Sequence, residues 1–170
     1  MSTLGRRFKS SAAAAVICFI GSAALITLTT TTAAEAAALV SNGCTASVQN
    51  PHYSSGAGGN IAKATWACSR VPTTINISYG VGGFWLWRCP NQPPKSESYL
   101  GENCTIVGYT GQNVSVTKAN TSYTRYAPPS GTPGARGAGW YMACTTWRSQ
   151  GPGGTGSIST TFSNAVHLSS

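Results

Sequence analysis

From residue 44 onward apolar and polar side chains alternate with a period of two, the pattern of strands that bury one face. The last segment carries it most clearly: Ile158, Thr160, Phe162, Val166 and Leu168 alternate with Ser157, Ser159, Thr161 and His167. Residues 74–81 alternate likewise, with Ile75, Ile77, Tyr79 and Val81 on one face. Shorter strands are predicted at 44–49, 61–69, 83–89, 104–109, 112–118, 121–126 and 139–148, where β-branched and aromatic residues dominate. Residues that favour helices are scarce, and no helix is predicted after residue 40.

Turn chemistry separates these runs at 54–60, 80–83 and 90–94. Two longer Gly/Pro-rich stretches, 127–139 and 149–156, flank the 139–148 strand and read as loops too rich in Gly and Pro to order themselves. Short strands with frequent turns predict an all-β fold, a disulfide-braced antiparallel β-sandwich, with an open β-barrel as the alternative. In 84–88 both strand faces are apolar, which places Trp85 and Trp87 either in a core or on an exposed aromatic face.

The first residues follow another rule. Arg6, Arg7 and Lys9 precede a weakly apolar stretch from Ser11 to Leu28, and an Ala-rich stretch follows at 33–38. A positive segment, an apolar segment and small residues form the order of an export signal. Cleavage after Ala36 is expected, with Ala38 serving equally, and a retained membrane anchor is the alternative. The chain then divides into a signal peptide at 1–36, a short linker at 37–43 and one β-domain at 44–170, which works outside the cell.

Removing the signal changes the charge and the cysteine count. Eight Lys and Arg against two Glu remain, a net charge of +6, which suits anionic surroundings. The bases are scattered with no run among them, so a nucleic-acid reader is not indicated, and contact with membranes is limited to anionic surfaces. Five cysteines remain, Cys44, Cys68, Cys89, Cys104 and Cys144, as disulfide material in an oxidising compartment. Cys89 and Cys104 flank a Pro-Pro loop and can close it. Cys68 and Cys144 lie inside strands far apart in sequence, where a bridge joins two sheets; with Trp85, Trp87 and Tyr141 nearby, this echoes immunoglobulin-type packing. Cys44 is then the spare thiol, either buried and inert or linking two chains into a dimer. Other pairings stay open, because sequence does not fix connectivity.

The frame from Cys68 through Ser69, Arg70, Val71 and Pro72 to Ser78, the Cys89 to Cys104 loop, Gly139-Trp-Tyr-Met-Ala-Cys144 and a Ser/Thr-rich final strand resembles small secreted β-proteins of actinobacteria. The resemblance spans most of residues 44–168 and implies export and a β-fold, with no assigned activity and no site.

Chemistry is sparse. Glu97 and Glu102 are the only acids of the mature chain, and His52 and His167 its only imidazoles. No Gly-x-Ser-x-Gly elbow, Cys-x-x-Cys pair or phosphate-cradling Gly-rich loop is present, so no catalytic residue, metal or cofactor is assigned. Aromatics remain: five Trp and seven Tyr, all in the mature part. Trp147 with Arg148 at the mouth of a Gly/Pro loop, together with Arg136 and Trp140, is the predicted binding surface. The expectation is a secreted non-enzymatic module that binds an extracellular polymer or protein. A basic membrane-active antimicrobial protein and a protease inhibitor using the 90–103 loop are the competing readings.

Overall fold

The computed structural model describes residues 39–77, 82–152 and 154–169, with residues 39–41 described as backbone. The segment 1–36, expected to be a signal peptide, lies outside them, as do Tyr79 and Val81 of the predicted 74–81 strand.

The described chain forms β1 (Leu39–Ser41), β2 (Cys44–Val48), β3 (His52–Ser54), β4 (Gly59–Cys68), β5 (Thr73–Asn76) and β6 (Gly83–Cys89). A short helix α1 (Glu97–Asn103) follows, then β7 (Thr105–Thr110), β8 (Val114–Val116) and β9 (Tyr123–Ala127). The last elements are β10 (Gly139–Gly151), β11 (Gly154–Thr155), β12 (Ser159–Phe162) and β13 (Val166–Leu168). The smaller hydrogen-bonded sheet is built on β4, which pairs with β2, β3 and β9, while β1 pairs with β2. The larger is built on the thirteen-residue β10. It pairs with β6 and β5 and also with β13, β12 and β11, so Trp140, Cys144 and Gln150 each have a partner on both sides. Every ladder is antiparallel, and the result is an all-β domain of open, strongly curled sheet braced by two disulfides.

The two-residue period explains the main core. On β4, Ala62, Ala64, Trp66 and Cys68 turn inward, and they meet Val48 of β2, Phe84 and Leu86 of β6 and Tyr141, Ala143 and Trp147 of β10 in one buried cluster. Burying each large side chain stabilises the fold by about 1.5–3 kcal/mol, so this shared interior dominates its stability.

Several sequence expectations change. Within the expected linker, Leu39–Ser41 are a strand: β1 and β2 form a hairpin closed by Asn42 and Gly43, whose φ values are 50° and 78°. Asn-Gly is the pair that a two-residue loop with positive φ at both positions demands, and this signal was legible. The final strand is broken. At Ser163 the hydroxyl accepts the Ala143 N–H at 2.9 Å, while the Asn164 N–H goes to Asn50 Oδ1 at 2.9 Å, so the chain leaves β12 before re-pairing as β13. On β12 the hydroxylated side faces the main core, since Thr161 and Ser163 are buried and Ile158 is 58% exposed, whereas on β13 Leu168 packs against that core and His167 is exposed. β10 has apolar covering on both faces, so alternation along its partner strand does not mark inside from outside.

The two Gly/Pro stretches are ordered by distant partners. In 127–139, Asn60 and Ala135 exchange backbone hydrogen bonds at 2.7 and 2.8 Å, and the Gly134 N–H reaches Ala57 at 2.8 Å. Here Gly59 and Gly134 lie backbone against backbone, and a Cβ on either would collide with the other segment. In 149–156, β10 continues to Gly151 and turns into β11.

The disulfide pattern corrects the expected one. Cys68 is bonded to Cys44, not to Cys144, and Cys144 is the free thiol in place of Cys44. Cys44 and Cys68 are directly opposite on β2 and β4. The neighbouring Ser69 N–H donates to Gly43 O at 2.9 Å, so the cysteines occupy the closer, non-hydrogen-bonded pair position. Cys144 alternates with the inward residues Ala143 and Thr145, so its side chain points away from the core that holds Cys68. An inter-sheet bridge of immunoglobulin type is therefore absent. Cys44, the cysteine expected to be spare, is bridged, and the free Cys144 is 1% exposed. The second bridge joins Cys89 to Cys104.

Candidate functional site

The outward residues of β10 define a second face: Trp140, Met142, Cys144, Thr146 and Arg148. Met142 and Cys144 join Cys89 and Leu100 in a small buried cluster, with Trp85, Trp87, Cys104, Trp140 and Phe162 packed half-buried around it. Its cover is a strap closed by the Cys89–Cys104 bond, fifteen residues apart in sequence. The strap contains α1, which the sequence reading lacked. Ser96 starts it: its hydroxyl accepts the Tyr99 N–H at 3.3 Å, with Glu97 in the first turn. A cap serine followed by an acid was the available signal, but seven residues are too few to show helical periodicity. Leu100 is fully buried under the strap, and the Glu97 carboxylate accepts hydrogen bonds from the hydroxyls of Thr146 and Thr160.

At the Trp140 end the strands make a groove. Trp140 lies in lateral register between Cys89 of β6 and His167 of β13. The indole and imidazole meet nearly edge to face, with centroids 5.4 Å apart and planes at 75°. Beside them, Arg88, Cys89, Pro90, Thr105, Ala138 and Gly139 complete, with His167, the lining of a groove of about 550 Å³. Arg88 Nη1 donates to the Arg136 carbonyl at 2.7 Å, and Tyr141 Oη donates to the Gly137 carbonyl at 2.6 Å. These bonds clamp the end of the 127–139 loop, fixing the backbone carbonyls of Arg136 and Gly137. Gly137 is required there: its φ is +101°, and a Cβ would run into the Arg88 guanidinium.

The predicted binding residues are therefore divided. At this end the Trp140 indole meets His167, while the backbone carbonyl of the exposed Arg136 accepts from Arg88. Arg148 is half-buried eight residues further along β10, roughly 27 Å away at strand rise. Trp147 is not a surface residue. It is fully buried in the main core, and its Nε1 donates to Thr161 Oγ1 at 3.4 Å. It falls on the inward parity of β10, which a position next to a Gly/Pro stretch does not reveal. Trp85 and Trp87 are half-buried, flanking the strap.

Residues weighed for catalysis are not gathered. Glu97 and Glu102 are five positions apart on α1, about 140° round the helix, and Glu97 is engaged by two threonines. His52 Nδ1 sits 3.1 Å from the Asn50 carbonyl on β3, in the smaller sheet. Burial pushes the Cys144 thiol up to about 12; the Trp87 indole N–H opposes this, and the Glu97 charge adds to it. Thiolate is accordingly scarce at neutral pH. Among the described residues no group of three or more His, Cys, Asp or Glu could hold a metal ion, and no helix is long and apolar enough to cross a membrane.

No protein-family model, curated protein or solved structure matches this chain. The resemblance to small secreted actinobacterial β-proteins thus rests on the residues quoted for it.

Proposed function

We propose that this domain is a binding module that works outside the cell and grips an anionic polymer at the Trp140 end of the larger sheet. The observation that carries this reading is a groove lined by Arg88 and His167 with no carboxylate in its lining, at whose end the Trp140 indole meets His167 and the Arg136 carbonyl accepts from Arg88. Guanidinium groups supply directed donors for phosphate, sulfate or carboxylate, and the aromatic pair supplies a flat surface against which a sugar ring can stack. We read the two hydrogen-bonded sheets around a shared core as a β-sandwich serving as a rigid platform, and the export segment and disulfides as fitting an extracytoplasmic site of action. A strap that carries a helix and buries Leu100 favours this reading over a protease inhibitor, which would present an extended exposed loop.

The test is retention on immobilised polymers: cell wall bearing phosphodiester polymers, the same wall stripped of them, chitin and cellulose. Binding is expected on the anionic wall alone and should weaken as salt rises. Trp140→Ala is expected to lower affinity tenfold or more, and Arg136→Ala several-fold with a shallower salt dependence. Equal retention on stripped wall would remove the anionic reading. No retention on any of the polymers would remove the polymer-binding role itself. Leakage of anionic vesicles at low salt, without wall binding, would favour the membrane-active alternative.

A further inference from the structure

The strap is held at its ends by the Cys89–Cys104 bond and the adjoining β6–β7 pair, Arg88 opposite Thr105, and in the middle by a few side chains, buried Pro93 among them. Its helix contributes one fully buried side chain, Leu100, and one acceptor, the Glu97 carboxylate. Beneath it lies Cys144. Within the sheet Cys144 is flanked by its register partners, Trp85 of β6 and Phe162 of β12. Strands close the thiol in from both sides, so its remaining approach is from outside the sheet, where the strap residues Leu100, Cys89 and Cys104 complete the cluster.

We propose that the strap is a redox-controlled cover, closed while Cys89 and Cys104 are bonded and opened by reduction, and that Cys144 is the thiol it shields. Cys144 does not exchange with the bridge while the sheet is intact. Cys89 is opposite Trp140, four residues from Cys144, which is roughly 13 Å along the strand and well beyond disulfide reach. Opening therefore needs an external reductant of the small-dithiol class. The dithiol gives up two electrons and two protons and closes into its own disulfide, while the Cys89–Cys104 bond breaks into two thiols. The covalent tie is then lost, and the strap depends on the Arg88–Thr105 pair at its base, on buried Pro93 and Leu100, and on Glu97. The uncovered face, with Trp87 and Met142, is continuous with the groove at Trp140, since Trp87 pairs with Met142 and Cys89 with Trp140. The cover itself stands whether or not that groove binds an anionic polymer.

The exported protein, without denaturant, is treated with iodoacetamide, and Cys144 is followed by peptide mass. In alkylation a sulfur–carbon bond forms, iodide leaves and the thiol proton passes to solvent. With both bridges intact Cys144 should resist labelling. After mild dithiol treatment, or in Cys89→Ser/Cys104→Ser, labelling should quicken roughly tenfold or more, as local opening becomes easier. Circular dichroism and the emission of buried Trp66 and Trp147 confirm that the domain remains folded. Leu100→Ala with both bridges intact should give an intermediate rate, and it decides the matter if the reduced protein unfolds. The proposal is overturned if Cys144 reacts equally fast before reduction. It is overturned equally if Cys144 stays inert in a folded protein whose Cys89 and Cys104 are demonstrably free, or if Leu100→Ala leaves its rate unchanged.

Discussion

Replacing Trp147 with alanine is expected to lower the unfolding free energy by about 3–5 kcal/mol, the range for a buried Trp truncated in a packed core. Trp147 is fully buried among Phe84, Leu86, Tyr141 and their neighbours, and its indole N–H has a partner in Thr161. Truncation leaves a large cavity beneath β10 and strands the Thr161 hydroxyl. For a domain of this size the melting temperature should fall by about 10–20 °C, read by circular dichroism. At Trp140, half-buried at the groove, the same change should cost about 1 kcal/mol or less of stability and act on binding instead. The pair separates the two tryptophans that sequence places side by side as surface candidates. A mild effect at Trp147 would mean that β10 does not present the faces described.

Removing the Cys44–Cys68 bridge is the second large expected loss. With the cysteines 24 residues apart, converting both to alanine should cost about 3–3.5 kcal/mol through the freed denatured chain, measured by urea unfolding. Both sulfurs are buried, so the cavity left behind adds to the loss. Cys144→Ala breaks no cross-link and should cost about 1 kcal/mol, the value of a small buried group. Peptide mapping after alkylation in denaturant should find the label on Cys144 and on none of Cys44, Cys68, Cys89 and Cys104. A label on Cys44 would restore the pairing first read from sequence.

Legibility followed the range of the forces involved. Most strands could be read because alternation is local: β2, β4, β6, β7, β9 and β10 fall on or beside the stretches where alternation or β-branched runs predict them. Breaks caused by distant partners could not. Ser163 interrupts the last strand because its hydroxyl takes a backbone N–H twenty residues away, and nothing beside Ser163 announces that. Order in the 127–139 loop comes from Asn60 and Ala57, far upstream. The cysteine pairing failed for another reason, since it depends on which side of a strand each sulfur leaves. Counting inward residues from Ala143 places Cys144 outward, yet that count needs one residue of known facing to begin from. Of the proposed binding surface, Arg136 and Trp140 were named from sequence, whereas Arg88 and His167 come to that end only through the registers of β6 and β13.

The length of β10 has a consequence for the order in which the chain can finish folding. Its 139–147 stretch lies against β6, made earlier in the chain, and against β12 and β13, which are synthesised after it. A polypeptide that has emerged only as far as Gly151 therefore carries one open edge along its longest strand, with backbone groups ready to pair with any strand nearby. Completion waits for residues 159–168, so chains truncated before that point should associate edge to edge instead of remaining single. The final twenty residues act as the seam that closes the garment, and a chain passed through a membrane unfolded would be fastened only once that seam arrives.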